Sequence, residues 1–166
     1  ALAPPQAVEV EWENAPPLLA YGWLKPKGKA LLTQWRTTPL AVDWNQDALT
    51  DLVMLDSEGY LALFPRARKN GALVLLPPQR VFFADPNSAP PKEKAAIAFH
   101  AGQPLRGNSG LAGKSGRRKL AVTDWDGDGL FDLLLNSANA NLLRQTRHSF
   151  FQDCGPLENQ NIEGHD

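Results

Sequence analysis

The chain has 166 residues, a net charge of −1 with acidic and basic residues interspersed, and a single cysteine. A charge so close to zero provides no field that would attract nucleic acid or an anionic membrane, and one cysteine excludes an internal disulfide framework. No apolar stretch approaches the roughly 18 residues of a membrane helix, so we expect no membrane span.

Short apolar runs separated by turn residues follow one another along the whole chain. Fourteen prolines and thirteen glycines interrupt these runs, which is typical of β-structure and unfavourable to long helices. We therefore predict an all-β chain, with a turn at 56–59 in which Gly59 is left-handed. Tyr60–Phe64 is apolar on both faces, as expected of a strand buried between two neighbouring sheets. The predicted strands are Val8–Trp12, Ala30–Trp35, Leu40–Val42, Leu52–Leu55, Tyr60–Phe64, Leu73–Leu76, Val81–Phe83, Leu120–Thr123, Leu133–Leu135, Asn141–Arg144 and Phe150–Gln152.

Residues 84–118 are predicted to form a long insertion loop. This stretch contains several prolines and glycines and separates two similar halves of the chain. A short helix is expected at 91–99, because Pro91 suits a first helical turn and the following Lys-Glu-Lys-Ala-Ala favours helix.

An acidic loop at Asp124–Asp132 is the clearest candidate site. It places carboxylates at relative positions 1, 3, 5 and 9, where they would repel one another unless a cation lay between them. Ca²⁺ takes six to eight oxygens at roughly 2.3–2.6 Å. Gly129 at position 6 permits the sharp reversal that such a loop needs. The predicted Ca²⁺ ligands are the side chains of Asp124, Asp126, Asp128 and Asp132 and the backbone carbonyl of Leu130.

Two alternatives compete with this calcium loop. An EF-hand loop opens in the same way but needs a bidentate Glu at position 12. That position is Leu135, within an apolar run of strand length, so the loop is expected to join two strands. The other alternative is a solvated acidic turn without an ion, because Asp and Gly are common turn residues.

A second copy of the loop lies 81 residues earlier, at Asp43–Asp51. Position 6 is Ala48 in place of glycine, which costs on the order of 1 kcal/mol if the backbone is left-handed. With one carboxylate fewer as well, this site is expected to bind more weakly or to stand empty. Trp44 and Trp125 occupy position 2 of the two loops and are expected to pack between neighbouring units. The predicted ligands of the earlier loop are Asp43, Asn45, Asp47, the carbonyl of Leu49, and Asp51.

The pattern D-x-[DN]-x-D-G-x-x-D between two apolar strands resembles the FG-GAP/VCBS repeats of β-propellers, as in integrin α-subunits and many bacterial extracellular proteins. The resemblance covers about 30–65 and 115–152. It implies a seven-bladed β-propeller in the whole protein, with calcium loops on one rim. This chain would supply two to three four-stranded blades, with repeat cores at about 30–83 and 115–152. The resemblance also implies a secreted protein, extracellular or periplasmic, that acts as a scaffold or binding surface for carbohydrate or protein ligands.

The length of the chain bears on this resemblance, because a propeller closes with about four to eight blades. We therefore expect an internal fragment whose remaining blades lie elsewhere in a parent chain. The alternative is a complete small β-domain.

A catalytic alternative also follows from the resemblance, which extends loosely to secreted polysaccharide lyases acting on uronate-containing glycans. A lyase needs a base and a cation that neutralises the adjoining carboxylate. His100 and Arg106 in the insertion could fill these roles, although such a histidine is more often structural. The basic run at 114–119 could bind an anionic sugar, offset the charge of the acidic loop, or simply be solvated.

Overall fold

The computed structural model of the protein describes residues 4, 7–16, 26–34, 36–89, 100–108, 118–135 and 140–157. Within these ranges the chain is all-β and contains no helix, which confirms the prediction of an all-β chain. The predicted helix at 91–99 lies outside the described residues. No helix in the described part of the chain is long and apolar enough to cross a membrane. The strands are β1 Leu40–Val42, β2 Asp51–Leu55, β3 Leu61–Phe64, β4 Arg66–Lys69, β5 Ala72–Leu75, β6 Phe83–Ala84, β7 Leu120–Thr123, β8 Asp132–Leu135, β9 Asn141–Arg147 and β10 Phe150–Pro156.

The first sheet is an antiparallel meander in the order β1-β2-β3. Its first hairpin pairs Val42 with Asp51, so the acidic loop connects β1 to β2. Gln79 extends the sheet beyond β3, because its N–H donates to the carbonyl of Leu63 at 2.7 Å and its carbonyl accepts from the Leu63 N–H at 2.9 Å.

The second sheet is an antiparallel meander of β7, β8, β9 and β10, and β6 pairs parallel to β10 at its edge. Thr123 pairs with Asp132, as Val42 pairs with Asp51 in the first sheet. The two acidic loops therefore occupy the same position in two hairpins of the same register.

The main core lies between the two sheets and combines side chains from both. Leu105 and Phe82 fill the space between them. Alternation along each strand directs one set of side chains to this layer. The buried members of the core are Trp44, Val53, Leu55, Leu61, Leu63, Phe82, Ala84, Leu105, Leu133, Leu135, Leu143 and Phe151.

A second core covers the opposite face of the first sheet. Met54, Ala62 and Phe64 pack there against Val10 and Leu75. The first sheet is thus buried on both faces, and every residue of β3 is buried. This arrangement confirms the prediction that the apolar run at the centre of Tyr60–Phe64 reflects burial on two sides.

The N-terminal strands differ from the prediction. In the described ranges 7–16 and 26–34, the two predicted strands Val8–Trp12 and Ala30–Trp35 are not continuous, because only the isolated bridges Glu9–Ala30 and Val10–Leu75 form there; residue 35 lies outside these ranges. Consecutive N–H groups donate to different segments: that of Val10 to the carbonyl of Lys29, and that of Glu11 to the carbonyl of Leu75. No ladder with a single partner can form from such alternation.

Of the hairpin formed by β4 and β5, only the second strand was predicted. β4 consists of charged residues around one alanine and is partly exposed, so it lacks an apolar pattern. The turn nevertheless carries a local signal: Asn70 and Gly71 have φ of 50° and 79°. Left-handed conformations at both central residues define the tight turn that Asn-Gly favours.

Residues 100–108, inside the predicted insertion, contribute to the core. The carbonyl of Leu105 accepts from the Leu61 N–H at 2.9 Å, and the Leu105 N–H donates to Phe82 at 2.8 Å. Leu105 is 1% exposed, so this segment joins the sheets. It also explains Gly59, whose φ is +86° and where a Cβ would lie 2.1 Å from the carbonyl oxygen of Asn108.

Asp85 ties the edge strand β6 to β9. Its buried carboxylate accepts hydrogen bonds from the hydroxyl of Thr146 and, at 2.9 Å, from the N–H of Asn87. The guanidinium of Arg147 lies 3.6 Å away. The Thr146 hydrogen bond, the Asn87 N–H and the Arg147 charge lower the pKa of Asp85.

Candidate metal centre

Three carboxylates converge in the loop between β7 and β8. Oxygens of Asp124, Asp126 and Asp128 lie within 4.8 Å of one another, and all three residues are exposed. Within the described ranges this is the one cluster of at least three His, Cys, Asp or Glu side chains so arranged. The structure therefore brings together three of the four predicted carboxylate ligands.

Backbone N–H groups of the loop hold these carboxylates in place. The two oxygens of Asp124 accept from Gly127 at 2.8 Å and from Gly129 at 3.1 Å. The N–H of Leu130 donates to Asp128 at 2.8 Å. Both glycines have positive φ, 76° and 86°, so the loop needs left-handed residues at positions 4 and 6, of which only position 6 was predicted.

Asp132, the fourth predicted carboxylate, is fully buried and anchored to backbone. One oxygen accepts from the Trp125 N–H at 2.8 Å, and the other accepts from the Gln145 N–H on β9 at 2.7 Å. It does not belong to the exposed trio. Each carboxylate oxygen has two lone pairs, so each could accept one further interaction. In the structure, however, Asp132 holds the loop to β9 through these two hydrogen bonds.

The Asp43–Asp51 loop repeats this scaffold. Asp43 accepts from the N–H groups of Asp47 and Ala48 at 3.0 and 2.9 Å, and Leu49 donates to Asp47 at 2.8 Å. Asp51 is fully buried. Its carboxylate accepts at 3.1 Å from the N–H of Trp44 and at 2.7 Å from that of Arg66.

The two loops differ at position 3. In the earlier loop the side-chain amide of Asn45 donates to Asp47 at 3.0 Å, and its carbonyl accepts from the Asp47 N–H at 3.1 Å. The carboxylate of the equivalent Asp126 has no side-chain N–H to donate. Positive φ is nevertheless retained without glycine, at Gln46 with 59° and at Ala48 with 67°.

The paired tryptophans occupy different environments. Trp44 is 6% exposed and its ring centroid lies 4.9 Å from that of Phe82 and 5.7 Å from that of Phe131. The predicted packing between neighbouring units is therefore confirmed for Trp44. It is wrong for Trp125, which is 51% exposed.

A cleft of about 180 Å³ separates the two loops. It is lined by Asn45 and Gln46 on one side and by Gly129 and Leu130 on the other, with His148 from the β9–β10 turn. The two loops therefore open on the same rim of the molecule.

A basic side chain that no sequence pattern indicated lies beside the trio. Arg144 on β9 places its Nη1 3.6 Å from Oδ2 of Asp126, and its Nη2 donates to Oε1 of Gln152 at 3.2 Å. Only the pairing of β8 with β9 brings this arginine to the loop, so no local pattern could have indicated it.

Arg106, one of the two residues that the lyase alternative would use, has other contacts. Nε and Nη2 of Arg106 donate to the carbonyl of Glu58 at 3.1 and 3.0 Å, and the guanidinium lies 5.0 Å from the ring centroid of Tyr60. His100 is exposed. In the basic run at 114–119, Arg118 donates to the Gly107 carbonyl at 2.9 Å, and burial lowers its pKa, whereas 114–117 lie outside the described residues.

No protein-family model matches the chain, and neither a curated protein nor a solved structure is found that resembles it. The class that the structure itself defines is an all-β protein of antiparallel meanders with acidic hairpin loops.

Proposed function

We propose that the Asp124–Asp132 loop binds Ca²⁺ and that the ion stabilises this rim of the protein. The observation that carries the proposal is the convergence of three exposed carboxylates within 4.8 Å. Two oxygens that share an ion at about 2.4 Å can be at most about 4.8 Å apart, and the three carboxylates lie within that limit. An open, all-oxygen site suits Ca²⁺ better than Mg²⁺, which demands stricter octahedral geometry.

The earlier loop is proposed to bind Ca²⁺ more weakly or not at all. Its Asn45 amide already donates to Asp47, which satisfies the carboxylate that a cation would otherwise neutralise. Its trio of side chains also carries one charge fewer.

The two meanders are proposed to be blades of a propeller of the FG-GAP/VCBS kind. Their matching hairpin registers, the contact between β1 and β7, and the shared rim of the two acidic loops support this architecture. In that arrangement the inner strands of adjacent blades adjoin, and the remaining blades would complete the ring.

Such a segment would serve as a scaffold or binding surface for carbohydrate or protein in a secreted protein. An exposed site with few protein ligands favours the weak affinity of extracellular calcium modules, on the order of 10⁻⁴–10⁻³ M. The half-exposed Trp125 offers an aromatic ring that could stack on a sugar or a partner side chain.

Thermal unfolding with excess Ca²⁺ and with chelator tests the metal proposal. At a free ion concentration of about one hundred times Kd, stability should rise by about 2.7 kcal/mol, or roughly 5–11 °C for a chain of this size. Asp128→Asn should remove most of this shift, whereas the matched Asp47→Asn should leave it nearly unchanged. An identical midpoint with and without Ca²⁺ would refute the proposal, and equal effects of the two variants would reverse the ranking of the loops.

The surface proposal is tested by titrating neutral and uronate-containing oligosaccharides against intrinsic fluorescence in the presence of Ca²⁺. A change in emission that disappears in Trp125→Ala but persists in Leu73→Ala, another exposed apolar residue, would support carbohydrate binding. No change across the panel would leave a protein ligand as the remaining form of the proposal. No observation in the described residues favours the lyase alternative, because Arg106 is engaged by Glu58 and Tyr60.

A further inference from the structure

Arg144 is a charged residue outside the acidic loop whose position bears on cation binding. Its guanidinium lies 3.6 Å from Asp126 and is fixed from the other side by Gln152. Arg144 and Gln152 are cross-strand partners on β9 and β10, so the arginine is held to the sheet independently of the loop. The guanidinium would therefore stay near Asp126 when an ion is bound.

The earlier acidic loop shows which residue occupies the position equivalent to Arg144. Asp51 and Asp132 each accept a backbone hydrogen bond, from Arg66 just after β3 and from Gln145 on β9, and the registers match because Leu52 pairs with Phe64 as Leu133 pairs with Leu143. The residues immediately before these donors are thus structurally equivalent, and they are Pro65 and Arg144. The arginine accompanies the loop whose position 3 is a carboxylate, and proline accompanies the loop whose position 3 is an amide.

We propose that Arg144 is a resident counter-charge that sets the cation affinity of the Asp124–Asp132 loop, an inference that rests on the proposed calcium function. In the ion-free protein it offsets part of the repulsion among the three carboxylates. In the bound state its positive charge, retained by Gln152, opposes the cation and lowers affinity. A single charge at roughly 6 Å from a divalent ion in a water-like medium alters binding by about tenfold before screening.

Calorimetric Ca²⁺ titration of the intact chain tests this inference. Arg144→Gln should bind Ca²⁺ about three- to tenfold more tightly than the wild type at 0.1 M salt, and the difference should shrink near 1 M salt because screening shortens from about 10 to 3 Å. Arg144→Lys keeps the charge and should remain within about twofold of the wild type. Arg147→Gln is the matched control, because Arg147 lies on the same strand but contacts Asp85 and the Phe150 ring instead.

Gln152→Leu keeps the test decisive if Arg144→Gln does not fold, and a double variant tests the ion pair if it does. Gln152→Leu releases the guanidinium from its anchor and should also tighten binding, by a smaller factor. Asp126→Asn combined with Arg144→Gln, unfolded in chelator, should be less destabilised than the sum of the single variants, because the pair is lost only once.

The outcomes separate the two proposals. Equal or weaker Ca²⁺ affinity in Arg144→Gln, with binding intact in the wild type, overturns the role of Arg144 and leaves the calcium site standing. Absence of Ca²⁺ binding in every variant overturns the calcium site and, with it, this inference. If the losses of stability in the two single variants add up to that of the double variant, the ion pair between Asp126 and Arg144 contributes nothing and the inference is overturned.

Discussion

Replacing Asp132 with alanine should destabilise the protein by about 2–4 kcal/mol even when Ca²⁺ has been removed. The carboxylate accepts from a buried N–H at Gln145 and a partly buried one at Trp125. Leaving a buried donor unsatisfied costs about 1–3 kcal/mol, and the partly exposed donor adds less because water can reach it. For a chain of this length the sum corresponds to a fall in midpoint of roughly 4–16 °C.

Urea unfolding followed by circular dichroism, with chelator and then with excess Ca²⁺, measures this effect. Asp126→Ala is the control, because Asp126 belongs to the same loop but is exposed. In chelator it should change stability by no more than about 0.5 kcal/mol. If Asp132→Ala is as stable as Asp126→Ala in chelator and is destabilised only with Ca²⁺, Asp132 acts as a ligand alone and the reasoning fails.

Three further predictions follow from single contacts. In urea unfolding, Trp44→Ala should lower the free energy of unfolding by about 3–5 kcal/mol, because it truncates a large core side chain. Trp125→Ala should change it by no more than about 0.5 kcal/mol. Similar losses in the two variants would contradict the difference in burial. Ala48→Gly should stabilise by about 0.5–1 kcal/mol in the same assay, since relief of a left-handed residue exceeds the entropy that glycine loses, and a loss would show that the conformation is unstrained. Because the Thr146 hydrogen bond and its neighbours lower the folded-state pKa of Asp85, its contribution is present above the unfolded pKa near 3.9 and is lost as pH falls through the lower folded value. Stability measured from pH 6 to 2 should therefore fall less steeply in Asp85→Asn, and an unchanged acid limb would contradict this assignment.

Local pattern was sufficient for the two acidic hairpins. The strand Leu120–Thr123 has the predicted bounds, and β2 and β8 each begin one residue before the prediction, at the last acid of the loop. These elements are short-range: an apolar run, a turn with obligatory left-handed residues and a second apolar run fix the register together. Asn70-Gly71 is an equally local signal for a hairpin turn. The strand β4 before it was not predicted, because an exposed strand lacks the apolar run on which the strand predictions relied.

Features that depend on distant parts of the chain could not be predicted. The partner of Asp132 is an N–H thirteen residues away, and the core position of Leu105 depends on strands that precede it by tens of residues. The contrast between Trp44 and Trp125 has the same origin. Both occupy position 2 of similar loops, but Phe82 and Phe131 surround only the first.

The structure divides the acidic pattern into two parts with different physical roles. The acids at positions 1 and 9 accept backbone N–H groups in both loops, so they shape the hairpin whether or not a cation is bound. Position 3 decides the electrostatics: Asn45 donates to Asp47, whereas Asp126 adds a like charge next to Asp128 and has Arg144 as a partial counter-charge. The shape of the loop and its charge are therefore separable. The same backbone closes over an amide–carboxylate pair in one hairpin and over three exposed carboxylates, only partly offset by Arg144, in the other.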